Sequence, residues 1–275
     1  MRFYPQLYAP STNLAIDLGI GILNTVAPIY LSELAPAHIR GRAIGFCVAG
    51  VSAVGVIATT IVWGTEKIKD ERQFKIPLAI QVALPFVLGL ISLLLPESPV
   101  WDLQHGKLDS ARRTFMSLRN DKADVVESEI SVYQASIAAD TERVKATKFL
   151  DILNRTNLKR TLTAGTLLSA NQVGGQILVG AYSTVLLVQS KVGNAFQMTV
   201  VITCLQFLGA VTGPILVDKV GRRPVALVGF TMLFILDLSA GSLATTGLVT
   251  QSQKLGLAGV LIVFGFFNSA SFQSL

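Results

Sequence analysis

Seven long stretches that carry at most one charge each decide what this chain can be. Residues 43–63, 76–95, 161–190, 192–217 and 255–275 hold no charge, and 13–31 and 224–247 hold one aspartate each. A bilayer core of roughly 30 Å takes about 20 helical residues to cross, so each run is long enough to be a transmembrane helix. The chain therefore reads as all-α, a polytopic membrane bundle of about seven spans. Composition agrees: 51% of residues are hydrophobic and only 15% are charged, outside the usual balance of a water-soluble domain.

Charges gather between the runs, and their placement orients the chain. The loops after the first, third and sixth runs hold sixteen Lys and Arg against six in the alternate loops. Basic residues collect on the cytoplasmic side, which puts the polar segment 102–160 in the cytoplasm and predicts a multi-pass protein of the plasma membrane. The net charge of +6 thus describes loops, and no basic run with interleaved aromatics points to nucleic acid. Three regions follow: 1–95 with three spans, 96–160 as a cytoplasmic helical linker, and 161–275 with four spans. In the linker, Val126, Ile130, Tyr133 and Ile137 step at helical spacing; the stripe covers a neighbouring surface, unless the segment is a disordered connection.

Several classes of chemistry find no support. Cys47 and Cys204 both lie inside apolar runs, which is no disulfide framework and no metal spacing. His38 and His105 stand in separate loops with no nucleophile nearby in sequence, so no catalytic residue, metal site or cofactor is expected. No signal peptide is seen at the N-terminus.

What the sequence offers instead is polar groups at particular depths. Glu33 ends the first run, Pro36 breaks the helix, and Arg40 and Arg42 precede the second run. An unpaired charge in hydrocarbon is costly, so Glu33 and Arg40 either pair with each other or meet partners from other helix ends. Ser98 before Pro99 predicts a capped helix start. In the second run Gly45, Ala49 and Ala53 recur every fourth residue, and Gly209 and Gly213 do so in the fifth, which we expect to end at Pro214; both patterns predict close helix contact. The fourth run holds SANQVGGQILVGAYST, residues 169–184, where Gln172 and Gln176 share a helix face and Gly174, Gly175 and Gly180 weaken the helix. Amides there can bind the hydroxyls of a neutral polyol or bond neighbouring helices. Asp237 in the sixth run is either buried and paired or close to the far interface.

Four of these motifs in order resemble the sugar porter family of the major facilitator superfamily. E-x6-R-G at Glu33, preceded by Pro28 and Tyr30, is similar to the family's junction of helices four and five. PESP at 96–99 resembles the end of helix six, with Val100 where the family has arginine. Asn171 and Gln172 fall on the two glutamines of the helix-seven motif, Ile177 on its asparagine and Ala181 on an aromatic position. Asp218, Gly221, Arg222 and Arg223 match D-x-x-G-R-R between helices eight and nine. GAYST together with FKIPLAIQ is closer to the fungal maltose or α-glucoside permease branch than to hexose carriers.

The resemblance implies a partial major facilitator fold covering helices 4 to 10 of 12, truncated at both ends, and a carrier that moves a neutral saccharide by alternating access. It implies that Asn171, Gln172 and Gln176 touch sugar and that Glu33, Arg40, Glu97, Asp218, Arg222 and Arg223 form a cytoplasmic charge latch. Protons as a coupling ion stay open. A chain lacking five helices is expected not to transport alone. Two other readings remain: an exporter of a small secondary metabolite, suggested by the apolar Ile177 and Ala181, and a non-transporting membrane sensor or interaction protein.

Overall fold

The structure is a computed structural model that describes residues 10–36, 39–119, 123–146, 154–189, 193–245 and 250–271. Every regular element among them is helical, and the described residues of each of the seven apolar runs are mainly helical. In chain order the helices are α1 (Pro10–Leu34), α2 (Arg40–Thr65), α3 (Arg72–Ser92), α4 (Pro99–Gln104), α5 (Leu108–Leu118), α6 (Ala123–Ala146), α7 (Arg155–Asn171), α8 (Ile177–Gln189), α9 (Ala195–Val220), α10 (Arg222–Thr245) and α11 (Gln251–Ser271). Five of them, α2, α3, α9, α10 and α11, are each long and apolar enough to cross a membrane; α1 adds a shorter apolar stretch, Leu18–Leu34.

The chain divides into two units, one of residues 1–44 and 96–145, the other of 45–95 and 146–275. The first is built around α4 to α6. Ser98 caps α4, accepting from the Trp101 N–H at 3.4 Å, with Pro99 in the first turn, as the Ser-Pro pair predicts. Val126 and Ile130 of the α6 stripe are buried against Phe115 of α5, and Tyr133 packs beside them, its ring stacked on Phe115 with centroids 5.8 Å apart. The stripe therefore closes a small core within the segment itself.

In the second unit, small residues let backbones approach. A Cβ added to Gly209 of α9 would stand 2.5 Å from the Phe266 carbonyl oxygen and 3.1 Å from the Ala270 nitrogen of α11, so only glycine permits this contact. Gly45 of α2 likewise receives Pro214 of α9, whose Cγ would lie 2.7 Å from an added Cβ. Thr59 and Thr203 join the same two helices through a hydroxyl pair at 2.9 Å. Helix α9 does not end at Pro214 as the sequence suggests; it continues to Val220. A proline within a helix removes one backbone N–H donor, and here its ring packs on Gly45.

The fourth run differs most from a simple span. It is two helices, α7 and α8, joined by a kinked segment, Gln172–Gln176. Gly174 sits at φ −72°, ψ 25° and Gly175 at φ 88°, ψ 0°. The second conformation is left-handed, open to glycine without strain.

Candidate functional site

Breaking the helix between Gln172 and Gln176 removes the shared face that four-residue spacing predicts. Gln172 is exposed, whereas the Gln176 side-chain oxygen accepts a hydrogen bond from the Asn268 amide nitrogen of α11. Asn268 and its neighbour Ser269 have no exposed surface, and the Asn268 carbonyl oxygen and Ser269 hydroxyl lack a hydrogen-bond partner among the described residues. A buried polar atom left unsatisfied costs of the order of 1–3 kcal/mol. Asn171 closes α7; its side chain lies outside what the structure describes, as does that of Asp17.

Two residues that the amide motif does not name stand at the same break. The Asp237 carboxylate oxygens of α10 would lie 3.0 and 3.4 Å from a Cβ on Gly175, and Phe264 Cζ of α11 would lie 3.2 Å from it. Sequence reasoning missed Asn268, and its signal was the polar NSAS at 268–271, four small residues inside an apolar span. The pairing itself crosses 92 positions and has no local signature.

The helix-end charges of the first unit form a second site. Glu33 and Arg40 each meet a partner from another helix: the Ser98 hydroxyl donates to the Glu33 carboxylate, and Arg40 Nη2 donates to the Tyr133 hydroxyl at 3.0 Å. Arg119 of α5 ties three helices together. It holds Glu129 of α6 through two bonds at 3.0 and 3.2 Å and donates to the Leu34 carbonyl oxygen at the end of α1 at 3.2 Å. The Tyr30 hydroxyl donates to the Pro96 carbonyl oxygen at 2.7 Å. Glu97 is exposed. Such a set of charge-assisted bonds is strong and directional, and it includes Arg119, Glu129 and Tyr133, which the sequence motifs do not single out.

Asp218, Arg222 and Arg223 belong to the second unit, all exposed. Asp218 lies in the last turn of α9, Gly221 turns the chain at φ 96°, and the two arginines open α10. Among the described residues no group of three His, Cys, Asp or Glu side chains could hold a metal ion. His38 lies outside the described residues.

Comparison with known proteins agrees with this architecture. The chain is 27% identical to the major facilitator-type transporter ecdD of Aspergillus rugulosus over 266 residues, which is 92% of this chain and 49% of that protein. It is 27% identical to the probable glucose transporter rco-3 of Neurospora crassa, over 92% of this chain and 44% of the other. With the sugar transport protein MST5 of Oryza sativa the identity is 30%, over 89% and 46%. The chain thus spans about half the length of the curated relatives it matches. Among solved structures, the partially occluded inward-open xylose transporter XylE of E. coli superposes with a TM-score of 0.66 at 19% identity, covering 93% of this chain and 55% of that one. That likeness shows a major facilitator fold. Residues 14–274 match the family described as sugar (and other) transporter, a family of transporters and not of enzymes, and on this match the chain belongs to it as an integral membrane protein.

Proposed function

We propose that this chain supplies the sugar-binding break and one charge latch of a carrier that moves a neutral saccharide across the plasma membrane. The observation that carries the reading is the Gln176–Asn268 amide pair beside a helix break, with the Asn268 oxygen buried and left without a partner among the described residues. A sugar hydroxyl is both donor and acceptor, so it can bond to the oxygen or the nitrogen of such amides. Asn171 and Gln172 add amide groups on the α7 side of the break. Relatives described as glucose transporters support a hexose-type cargo; the maltose or α-glucoside class is the finer assignment we favour, from GAYST and FKIPLAIQ.

Transport then proceeds by alternating access, in which two halves rock about a site near the midplane. The three regions 1–95, 96–160 and 161–275 are the end of one half, a cytoplasmic linker and the start of the other. Glu33, Arg40 and Glu97, with Asp218, Arg222 and Arg223, act as charge latches at the cytoplasmic ends and release when the inner gate opens. The known neighbour named as a proton:xylose symporter supports protons as the coupling ion.

Calorimetry of the full chain in lipid nanodiscs, titrated with glucose and with maltose, tests the reading. Losing one neutral hydrogen bond costs about 1 kcal/mol, so Gln176→Ala is expected to weaken binding by roughly fivefold, and Asn268→Ala by as much or more. Binding that ignores both substitutions would overturn the site. Absence of any saccharide binding by the unsubstituted chain would overturn the function.

A further inference from the structure

Asp237 is an ionisable group inside α10, fifteen residues from its start at Arg222 and therefore about 22 Å along the helix. Intramembrane carboxylates are costly and mark ion or proton pathways. Among the described residues no counter-charge forms an ion pair with Asp237. Of the elements packed against α10, the kinked segment Gln172–Gln176 has no titratable side chain, α11 has Lys254 alone, and α9 has Cys204, Asp218 and Lys219. Asp218 and Lys219 lie in the last turn of α9 and Lys254 in the first turn of α11, with Arg222 and Arg223 at the start of α10 itself. Cys204 is the remaining titratable group within the α9 span.

What does stand beside Asp237 is the broken backbone. Gly174 is near the right-handed helical region and Gly175 is left-handed, at φ 88°. Two successive residues of opposite hand turn their N–H groups to one concave side, an arrangement that attracts anions. Both Asp237 oxygens lie within 3.4 Å of the place where a Cβ on Gly175 would be, so any side chain there would collide with the carboxylate. An anion is drawn to a concave backbone of this kind, and a neutral acid is not.

We propose that Asp237 is a proton-binding site within the membrane whose charge keeps the Gly174–Gly175 break open. Uptake of one proton from water converts the carboxylate to a carboxylic acid and lets α7 and α8 draw toward continuous helical geometry; release reverses it. The inference rests on the transporter reading only for its use, since the break adjoins the Gln176–Asn268 pair. In a carrier it makes the shape of the sugar site respond to protonation.

The test uses the full chain in lipid nanodiscs without sugar, in a Cys47→Ser, Cys204→Ser, Gly174→Cys background carrying a nitroxide label. A Cβ at Gly174 meets nothing within 4 Å, so the label is accommodated. Infrared titration follows the protonated carboxyl band while spin-label collision with a water-soluble nickel chelate follows the break. The expected result is a severalfold fall in collision rate on acidification, with the same midpoint as a band that Asp237→Asn abolishes. Asp237→Asn should hold the label at its low-pH value throughout, and Asp237→Glu should keep both transitions at a displaced midpoint. An unchanged pH profile of the label in Asp237→Asn, or a titrating band with a motionless label, overturns the proposal. Because no sugar is present, failure here leaves the calorimetric test of sugar binding untouched, and failure of sugar binding leaves this result standing.

Discussion

The two units of this protein are held together by opposite chemistry. In the first, Arg119, Glu129, Arg40, Tyr133, Glu33 and Ser98 join helix ends through charge-assisted bonds around a small core at Phe115. The second packs Gly209 and Gly45 directly against backbone and proline, and its Asn268 carbonyl oxygen and Ser269 hydroxyl are left without partners. The difference follows from the solvent each must face. Lipid tails are as apolar as leucine, so helices in a bilayer gain little from burying apolar surface and associate by close van der Waals fit. At the helix ends, partly buried ionised side chains are satisfied by several charge-assisted bonds and can specify geometry.

The sharpest way to break the comparison is to put bulk into the second unit. Gly209→Leu should destabilise the α9–α11 contact by about 3 kcal/mol, since its Cβ would meet the Phe266 backbone and neither helix can yield cheaply; unfolding in detergent with a denaturant series reads this. Loss of stability below about 1 kcal/mol would show that the helices do not depend on the fit. Arg119→Ala comes next, at about 2 kcal/mol, because its side chain is only 9% exposed and three bonds vanish. Proteolysis within 96–145 should accelerate while the second unit keeps its resistance. Ser98→Ala should cost about 1 kcal/mol through the lost cap and the Glu33 bond, and Ser98→Thr should recover most of it.

The smallest effect sharpens the comparison from the other side. Glu71, before α3, pairs with Lys75 at 2.5 Å on an open surface. The Lys75 hydrogen bond, with its charge, holds the Glu71 carboxyl below its usual range. A depressed carboxyl contributes only above its unfolded-state pKa, and that contribution disappears as pH falls through the folded-state value. Exposed pairs are worth little, so acidification should lower the amide protection factors in the first turn of α3, measured against intrinsic exchange at each pH, without moving the global transition. A shifted global transition in Glu71→Gln would contradict the view that charge matters here only where it is partly buried and shared among helices.

Much of the fold can be read from single stretches, because bilayer thickness and helical rise act locally. Seven apolar runs predict seven helical runs, Ser98-Pro99 predicts the start of α4, and Val126 with Ile130 predicts the buried side of α6. The site was less legible. Gly174 and Gly175 announce a weak helix, yet the left-handed φ at Gly175 that separates Gln172 from Gln176 depends on the room left by Phe264 and Asp237. Asn268 and Asp237 reach the break from helices 92 and 62 positions later than Gln176 and Gly175 respectively, and no spacing rule connects them. Arg40 meets Tyr133 for the same reason: the hydroxyl arrives with α6, far along the chain. Pro214, which by itself reads as a helix end, is tolerated inside α9 where Gly45 receives it.

The divided fourth run also bears on how the chain enters a membrane. At 17 and 13 residues, α7 and α8 measure about 25 Å and 20 Å, each short of the roughly 30 Å hydrocarbon layer. Neither can be inserted as a span by itself. The insertion machinery has to accept both halves as one unit despite the glutamines and glycines between them. The polar break is thus carried into the bilayer by its apolar flanks.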